Sequence, residues 1–257
     1  MPGGRAGGGE ASRAGASAWA RYQAIAAEYR RERIMVRLAL AGAVAVIGLG
    51  VAEWRAGLAA GGTVFVAHLL YDRHRPGPAS SWRRGALAER RTGRKLARLG
   101  RGYRVLHDLA LPGGATTNVD HLVIGRTGVY AVINRRWRLG TRLWSDERRL
   151  WAGAEPVAAL PATARRIARI VGELLSDEMR YTVPVRPVVA VHGVRMRRDG
   201  LRHRGVDFQR AARLPYFIAE RPEVFTGAEV AAIALAAERI LPPMADILVK
   251  RRVRARR

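Results

Sequence analysis

The residues from Asn118 to Trp137, NVDHLVIGRTGVYAVINRRW, include the side chains best placed for chemistry. Asp120 precedes two short apolar strands, and the second strand ends in Asn134, Arg135 and Arg136. Many phosphodiesterases keep their metal ligands on such a strand pair, because residues two apart on a strand share a face and can point at one phosphate. The pattern indicates phosphodiester chemistry, but one expected carboxylate is missing.

A second carboxylate, Glu89, lies on a helix that the spacing predicts from a cap at Ser80 or Ser81 to about Leu99. On this helix Glu89 shares a face with small and apolar residues. No basic residue lies three or four positions away, so the usual surface ion pair is excluded. A carboxylate that points inward without a local partner indicates either a ligand or a buried hydrogen bond.

Further elements must position these two acids. Alternating apolar residues predict an antiparallel meander, and longer patterns predict helices and one buried strand. The predicted strands cover residues 103–111, 119–124, 129–134, 141–144, 150–151 and 185–191, and the later helices cover residues 156–175 and 226–241. The last helix carries a capping box, with Thr226 as the cap and Glu229 three residues on. This order predicts an α/β sandwich.

Residues 35–71 contain two apolar runs without a polar face, separated by Glu53, Trp54 and Arg55. A helix that is apolar all round belongs in lipid or in a large core, and this chain offers no core that could hide two of them. Each run falls short of the roughly twenty residues that span a bilayer, so either local thinning of the bilayer is needed or the first run extends over residues 34–54 with Arg37 snorkelling toward the headgroups. We therefore predict a two-helix transmembrane hairpin, with a soluble helical hairpin or an oligomerisation element as the alternatives.

Arginines flank both ends of this hairpin, and its turn carries few charges. The positive-inside rule then places both termini and the following domain in the cytoplasm, at the cell membrane. Gly57 and Gly61 share one helix face and permit close helix packing. Around the hairpin and the folded domain, we predict a basic cytoplasmic N-terminal segment over residues 1–34, a linker over residues 72–81 and a basic C-terminal tail over residues 242–257.

The formal net charge is +25, and arginine supplies nearly all of it. Such a surplus predicts contact with polyanions, which are the phosphate backbone of nucleic acid or the anionic inner leaflet of a membrane. The same electrostatics serves both, so the basic tail is compatible with either partner. The chain contains no cysteine, which excludes disulfides, thiolate nucleophiles and zinc-thiolate sites.

The order of these motifs resembles the NERD (nuclease-related) domain, which is itself similar to the PD-(D/E)xK nuclease fold. The resemblance lies within a domain predicted over residues 82–241 and is carried by GALAERRTGRKLARL, GYRVLHDLALPG, NVDHLVIGRTGVYAV and VPVRPVVAVHG. It implies a restriction-endonuclease-like α/β/α core with a mixed sheet, placed after the transmembrane hairpin.

The resemblance also implies a site. The family's metal ligands look like a helix Glu, the Asp before His, and an acid two residues ahead of a lysine. They fall here on Glu89, Asp120 and Ile133, with Arg135 in place of the lysine. Ile133 cannot bind metal, so Glu89 and Asp120 would hold Mg²⁺ weakly at most. Arg135 can stabilise charge on a phosphate, but its high pKa prevents it from activating water.

Other side chains near this site are weaker candidates. Asn134 carries an oxygen, but it points to the opposite strand face from Ile133. Asp146 and Glu147 reach the site only if their turn folds back over it. His121 fits a packed residue better than a general base.

Three functions follow from the sequence. The first is a membrane-anchored protein with a degenerate nuclease site that retains, at most, nucleic-acid binding. The second is an active metal-dependent deoxyribonuclease. The third is a non-enzymatic membrane scaffold whose arginines serve topology and lipid contact.

Overall fold

The computed structural model describes residues 14–51, 54–74, 78–112, 118–146 and 148–248. The chain divides into two compact units, one over residues 18–84 and the other formed by the residues before and after it. Helix α1 (Ala16–Val51) and helix α2 (Trp54–His74) carry the two predicted apolar runs. Glu53, in the predicted turn, lies outside the described residues.

Helices α1 and α2 approach each other through glycines. A Cβ added at Gly48 would lie 2.5 Å from the Cα of Gly57, and one added at Gly61 would lie 2.8 Å from the carbonyl oxygen of Ala41. Side chains at these positions would push the backbones apart, which is why small residues line close helix contacts. The structure thus places Gly57 and Gly61 at the predicted contact face.

Only α1 among the described helices is long and apolar enough to cross a membrane, over Ala16–Gly50 with a mean hydropathy of 1.8 in its most apolar window. One such helix near an N-terminus is weak evidence for membrane association. Helix α2 forms where the second span was predicted but does not reach the same standard, so the two-helix transmembrane hairpin stays a prediction.

The second unit is built on an eight-stranded mixed sheet, whose main path has the order β1-β2-β3-β6-β8-β7. The strands are β1 (Tyr103–Ala110), β2 (Asn118–Gly125), β3 (Gly128–Ser145), β4 (Leu150–Ala152), β5 (Glu155–Pro156), β6 (Val185–Arg195), β7 (Leu201–His203) and β8 (Val206–Arg210). Strands β1, β2 and β3 form the predicted antiparallel meander, and β3 runs parallel to β6.

Helices cover both faces of this sheet. They are α3 (Pro78–Leu96), α4 (Ala159–Met179), α5 (Leu214–Ala219) and α6 (Gly227–Ile240). On one face Leu122 of β2 packs with Val171 of α4 and Ile233 of α6. On the other face Val123 packs with Leu96 of α3 and with α5. The predicted α/β architecture with a mixed sheet is therefore confirmed.

Local sequence signals explain several element boundaries. The Thr226 hydroxyl accepts a hydrogen bond from the backbone N–H of Glu229, and the Glu229 carboxylate accepts one from the backbone N–H of Thr226, as the capping box predicts. Strand β3 runs beyond the predicted residues 129–134, because it continues past Gly140, where φ is +84°, into the strand predicted at residues 141–144.

Three boundaries differ from the sequence expectations. Helix α3 begins at Pro78 and ends at Leu96, so it starts before the predicted caps and enters the predicted linker, of which residues 75–77 lie outside the described residues. The predicted tail begins with packed chain, since the carbonyl oxygen of Pro242 accepts from the N–H of Ala110 at 2.9 Å and Met244 is buried. Residues 249–257 of that tail are not described.

Candidate functional site

Three buried carboxylates gather near the start of β2. Glu89 comes from α3, Asp120 from β2, and Asp108 from β1, where it faces Asp120 between the register pairs on either side. Asp108 was not predicted. Its φ is +54°, a left-handed conformation that costs a non-glycine residue free energy and often marks a functional position. We call Glu89, Asp108 and Asp120 the acid site.

Asp108 is fully engaged by hydrogen bonds. Its Oδ2 accepts from the backbone N–H of Ser17 at 2.7 Å, and its Oδ1 accepts from the Ser17 hydroxyl at 2.6 Å. The amide of Asn118 donates to the same Oδ1 at 3.0 Å. Because Ser17 lies in the first turn of α1, Asp108 caps the start of that helix, where free N–H groups favour a negative charge.

Asp120 is held by the backbone and side chain of Asn134. The Asn134 N–H donates to Asp120 Oδ2 at 2.6 Å, and the Asn134 amide is 3.4 Å from the same oxygen. Burial is the largest influence and raises the pKa of Asp120 to about 6, although the hydrogen bonds from Asn134 oppose this rise. At neutral pH Asp120 is mostly ionised, but it takes up a proton on mild acidification.

Glu89 has the least satisfied carboxylate of the site. It is 9% exposed, and its Oε2 has no hydrogen-bond partner. Burial raises the pKa of Glu89 well above its usual value, and the nearby charges of Asp120 and Asp108 raise it further. A buried carboxyl group in this setting holds its proton more firmly than an exposed one, because the charged form is poorly solvated.

Five polar side chains form a hydrogen-bonded network beside the acid site. We call these residues, Thr92, His107, His121, Asn134 and His192, the histidine network. Its distances are 2.9 Å from His192 Nε2 to Thr92 Oγ1, 2.5 Å from Thr92 Oγ1 to Asn134 Oδ1, 2.9 Å from Asn134 Nδ2 to His121 Nε2, and 2.6 Å from His121 Nδ1 to His107 Nδ1.

The Asn134 amide fixes the direction of every bond in this network. Its Nδ2 can only donate, so His121 Nε2 accepts and His121 Nδ1 carries the hydrogen that it donates to His107. Its Oδ1 can only accept, so Thr92 donates its hydroxyl proton there and accepts from His192 Nε2. His107 and His121 are therefore neutral in this arrangement, because each accepts a hydrogen bond at one ring nitrogen.

Burial keeps these histidines uncharged. It lowers the pKa of His107 to about 4, and it lowers the pKa of His192 to about 4 with help from Arg136 and Arg91. The pKa of His121 falls well below its usual value, first because of burial and then because of His107 and His192. The network is thus a neutral polar core layer between α3 and the sheet.

One glycine lets α3 approach the network. A Cβ at Gly93 would lie 3.0 Å from the Cβ of Ala14, 3.4 Å from Cε1 of His107 and 3.7 Å from Cε1 of His121. This spacing leaves no free room for a side chain. Gly93 therefore sets how closely the helix that carries Glu89 and Thr92 packs on the histidine pair.

The structure brings Glu89 and Asp120 close enough for their charges to interact, whereas the two β3 residues lie in other surroundings. Ile133 packs against two apolar clusters of the core, and the Arg135 guanidinium is exposed and lies 5.9 Å from the centre of the Trp137 ring. Asn134, whose side chain was expected on the opposite strand face from Ile133, supplies two of the three hydrogen bonds to Asp120, and Asn118 supplies the third. The backbone N–H of Asn134 reaches Asp120 whichever face its side chain takes.

Two weaker candidates lie elsewhere or outside the described chain. Asp146 is exposed and accepts hydrogen bonds within its own turn, from Arg148, Arg149 and Trp151, and these bonds lower the pKa of its carboxyl group. The Asp146 carboxylate therefore stabilises the turn after β3. Glu147 lies outside the described residues.

Sequence reasoning did not find Asp108, Asn118, Thr92, His107 or His192. A signal existed for two of them, because His107 and Asp108 interrupt the apolar alternation of β1 with two polar residues in succession. Thr92 and His192 meet only because α3 and the end of β6 pack on the same sheet face. No spacing in the sequence reports that contact.

The acid site and the histidine network lie almost wholly in one segment of the chain. Residues 84–192 match the family model described as the nuclease-related domain, NERD. This segment contains every residue of the acid site and of the histidine network, and the mixed sheet of the structure agrees with it. No curated protein and no solved structure matches the chain. The predicted likeness to PD-(D/E)xK nucleases beyond the nuclease-related domain stays a prediction.

The nuclease-related domain raises the question of a metal. Among the described residues no three His, Asp or Glu side chains are arranged to hold an ion together. Both oxygens of Asp108 accept from Ser17, and the histidine nitrogens that face each other are bonded to each other. In the part of the chain that the structure describes, Glu89 Oε2 is a fully buried carboxylate oxygen without a hydrogen-bond partner. This donor set does not fit a firmly held Mg²⁺, so we derive no catalytic step through a metal.

Proposed function

We propose that this chain is a membrane-anchored, nuclease-related protein that binds nucleic acid through its arginine surface and does not cut it. The observation that carries the proposal is the environment of Asp120. An amide and a backbone N–H contact this carboxylate where a catalytic site would need a second acid and a cation. Ile133 is packed in the core and Arg135 lies out over Trp137, so neither residue supplies the missing group.

One observation favours the active metal-dependent deoxyribonuclease as a second candidate. Glu89 Oε2 is buried and has no hydrogen-bond partner among the described residues, and burial and then the charge of Asp120 raise the pKa of its carboxyl group. A divalent cation between these two carboxylates would relieve that repulsion, and Mg²⁺ can be held by one or two carboxylates together with water and substrate phosphate. Glu89 and Asp120 would be its protein ligands.

A cleavage assay on the full chain in neutral detergent separates these candidates. Plasmid DNA is incubated with Mg²⁺ or Mn²⁺ and with the wild type, Asp120→Ala or the double variant Ile133→Glu/Arg135→Lys. We expect no cleavage by the wild type and cleavage by the double variant alone. Wild-type cleavage that Asp120→Ala abolishes would establish the active enzyme instead.

The double variant needs a matched control, because Ile133 is packed in the core and a polar replacement costs stability. Ile133→Gln/Arg135→Lys introduces a side chain of nearly the same size without a carboxylate. Cleavage by the Glu variant and not by the Gln variant ties activity to the restored acid. If neither variant cuts while both melt like the wild type, the site lacks more than these two residues and the degenerate-nuclease account needs another cause.

Membrane anchoring is proposed from the exposed apolar surface of the helical unit. Met35, Val46 and Ile47 of α1 are 67%, 67% and 65% exposed, and Leu58 of α2 is 57% exposed. So much apolar surface on two helices is unfavourable in water and favourable in lipid. We propose that both helices cross the cell membrane, with both termini and the nuclease-related domain in the cytoplasm.

The absence of native cysteine makes the topology testable. Arg55→Cys places one thiol at the start of α2, and Arg166→Cys places one on the exposed side of α4. In intact cells a membrane-impermeant maleimide should label Arg55→Cys and should label Arg166→Cys only after lysis. Labelling of Arg166→Cys in intact cells would mean that the domain lies outside, with a single spanning helix if Arg55→Cys is labelled too and with an inverted hairpin if it is not.

A further inference from the structure

A cleft of about 900 Å³ lies at the carboxyl ends of the parallel strands β3, β6 and β8. It lies outside the acid site, since none of its lining residues belongs to the acid site or the histidine network. Crevices outside the carboxyl ends of parallel strands are common ligand sites, because the strands deliver side chains from several elements to one place.

Four arginines line this cleft, which we call the arginine cleft: Arg142, Arg195, Arg197 and Arg202. Within the described part of the chain none of these guanidinium groups forms an ion pair. The cleft also contains Asp207, which Arg221 holds at 3.3 Å, and the exposed Asp199. The arginines therefore leave a clear surplus of positive charge in the cleft.

The register of the sheet makes two of these charges costly. Arg142 of β3 and Arg195 of β6 are direct partners across the parallel pair, and both residues line the cleft. Like charges in such positions are destabilising. A bound anion would offset this repulsion, and arginine presents the planar set of donors that recognises a phosphate.

An aromatic platform stands beside the arginines. Trp144 lines the cleft two residues after Arg142, on the same strand face, and it is 38% exposed. Its ring stacks on Trp151 across the β3–β4 pair, with centroids 5.7 Å apart and an interplanar angle of 12°. The two indole N–H groups donate to Gly153 and Asp146, so both rings are fixed in place.

The geometry points to a binding site for single-stranded nucleic acid, in which a base stacks on Trp144 and the backbone phosphates bind Arg142, Arg195 and their neighbours. A fixed aromatic ring within a basic groove is the combination that single strands use, because an unpaired base exposes its face and a duplex does not. This inference rests on the proposed nucleic-acid binding and adds the site and the kind of strand.

The test is fluorescence anisotropy of a labelled single-stranded oligonucleotide with the full chain in neutral detergent. Trp144→Ala should weaken binding roughly 5- to 150-fold, the range that loss of one stacked base gives. Trp144→Phe keeps an aromatic face and should weaken binding less. An oligonucleotide of the same length without bases should bind the wild type and Trp144→Ala equally, and a duplex should bind the wild type more weakly than the single strand.

The dependence of affinity on salt concentration tests the arginines separately from Trp144. Arg142→Gln/Arg195→Gln should reduce the slope of log affinity against log salt concentration by roughly 1.4, since each phosphate contact on a single strand contributes about 0.7. The control Arg166→Gln/Arg169→Gln removes the same charge from the exposed side of α4 and should leave slope and affinity nearly unchanged. Thermal melting shows that each variant is folded.

The outcomes separate this inference from the proposed function. If the wild type binds no oligonucleotide, the proposed function itself fails. If the wild type binds and the cleft variants bind equally well, nucleic acid lies elsewhere and the cleft assignment is overturned. If the cleft variants instead lose binding to vesicles that contain phosphatidylserine and keep oligonucleotide binding, the cleft takes lipid headgroups and the assignment is also overturned.

Discussion

The acid site and the arginine cleft treat charge in opposite ways. In the acid site and its histidine network, nearly every polar atom is bonded to another residue of the chain, and burial favours the neutral forms. In the cleft the guanidinium groups are charged, exposed and without an ion-pair partner among the described residues. The acid site and the histidine network thus form part of the core, while the charge suited to a polyanion lies at the ends of the parallel strands.

This contrast predicts that substitutions in the acid site or the histidine network lower the free energy of unfolding. Substitutions in the cleft should instead weaken the binding of nucleic acid. The largest effect is expected for Asn134→Leu. It keeps the backbone N–H bond to Asp120 but removes the amide that bonds the Thr92 hydroxyl and His121 Nε2, together with the longer amide bond to Asp120. Each buried group that loses its partner costs about 1–3 kcal/mol, so we expect a loss of roughly 4 kcal/mol in the free energy of unfolding.

Chemical denaturation of the full chain in detergent measures this loss. Arg142→Gln serves as the cleft control and should change the free energy of unfolding by no more than about 0.5 kcal/mol. Any change should be an increase, because the variant removes one of two neighbouring positive charges. Equal losses for Asn134→Leu and Arg142→Gln would remove the distinction between the two regions.

The next largest effect is expected in how the free energy of unfolding changes with pH. The folded protein keeps His107 neutral down to its pKa of about 4, whereas the unfolded chain binds a proton below about 6.5. The contribution of His107 is therefore fully present above about 6.5 and is lost as the pH falls through 4. The wild type should lose up to roughly 3 kcal/mol relative to His107→Asn over this range.

Asp120 should show the opposite sign. Its pKa of about 6 lies above the value of 3.8 for an exposed carboxyl, so the folded protein binds the proton first. The wild type should therefore gain stability relative to Asp120→Asn as the pH falls from 6 to 4. Differences of the same sign for His107→Asn and Asp120→Asn would show that one of the two groups is not buried as described.

A smaller effect is expected at Gly93. Alanine there gains roughly 1 kcal/mol of helix propensity, but its Cβ would lie 3.0 Å from the Cβ of Ala14, which must shift, and overpacking typically costs about 1–3 kcal/mol. We expect Gly93→Ala to destabilise by about 1 kcal/mol. Gly85→Ala in the same helix meets open space and should stabilise by about 0.5–1 kcal/mol. A stabilising Gly93→Ala would mean that α3 packs more loosely on the network.

The sequence predicted the elements that its own patterns specify. The meander, the helices over α4 and α6, the capping box at Thr226 and the inward position of Glu89 all follow from spacing, and the structure contains them. The inward position of Glu89 was predictable because no basic residue lies three or four positions from it on the helix.

The rest depends on contacts between distant segments. His192 joins the network only through the parallel register of β3 and β6, and Asp108 takes its left-handed conformation opposite Asp120 in the folded sheet. Arg142 and Arg195 also meet only through that register. The strand-face argument for Asn134 was correct about its side chain, but the backbone N–H of Asn134 makes the shorter bond to Asp120.

The central claim is that nucleic acid binds in the arginine cleft and that the protein does not cleave it. Photo-cross-linking tests it most directly: an end-labelled single-stranded oligonucleotide is irradiated with the full chain in Mg²⁺, and mass spectrometry identifies the attached peptide and the length of the oligonucleotide. The account predicts an intact oligonucleotide attached to the peptide that contains Trp144. A shortened oligonucleotide, or attachment centred on Asp120, would contradict it.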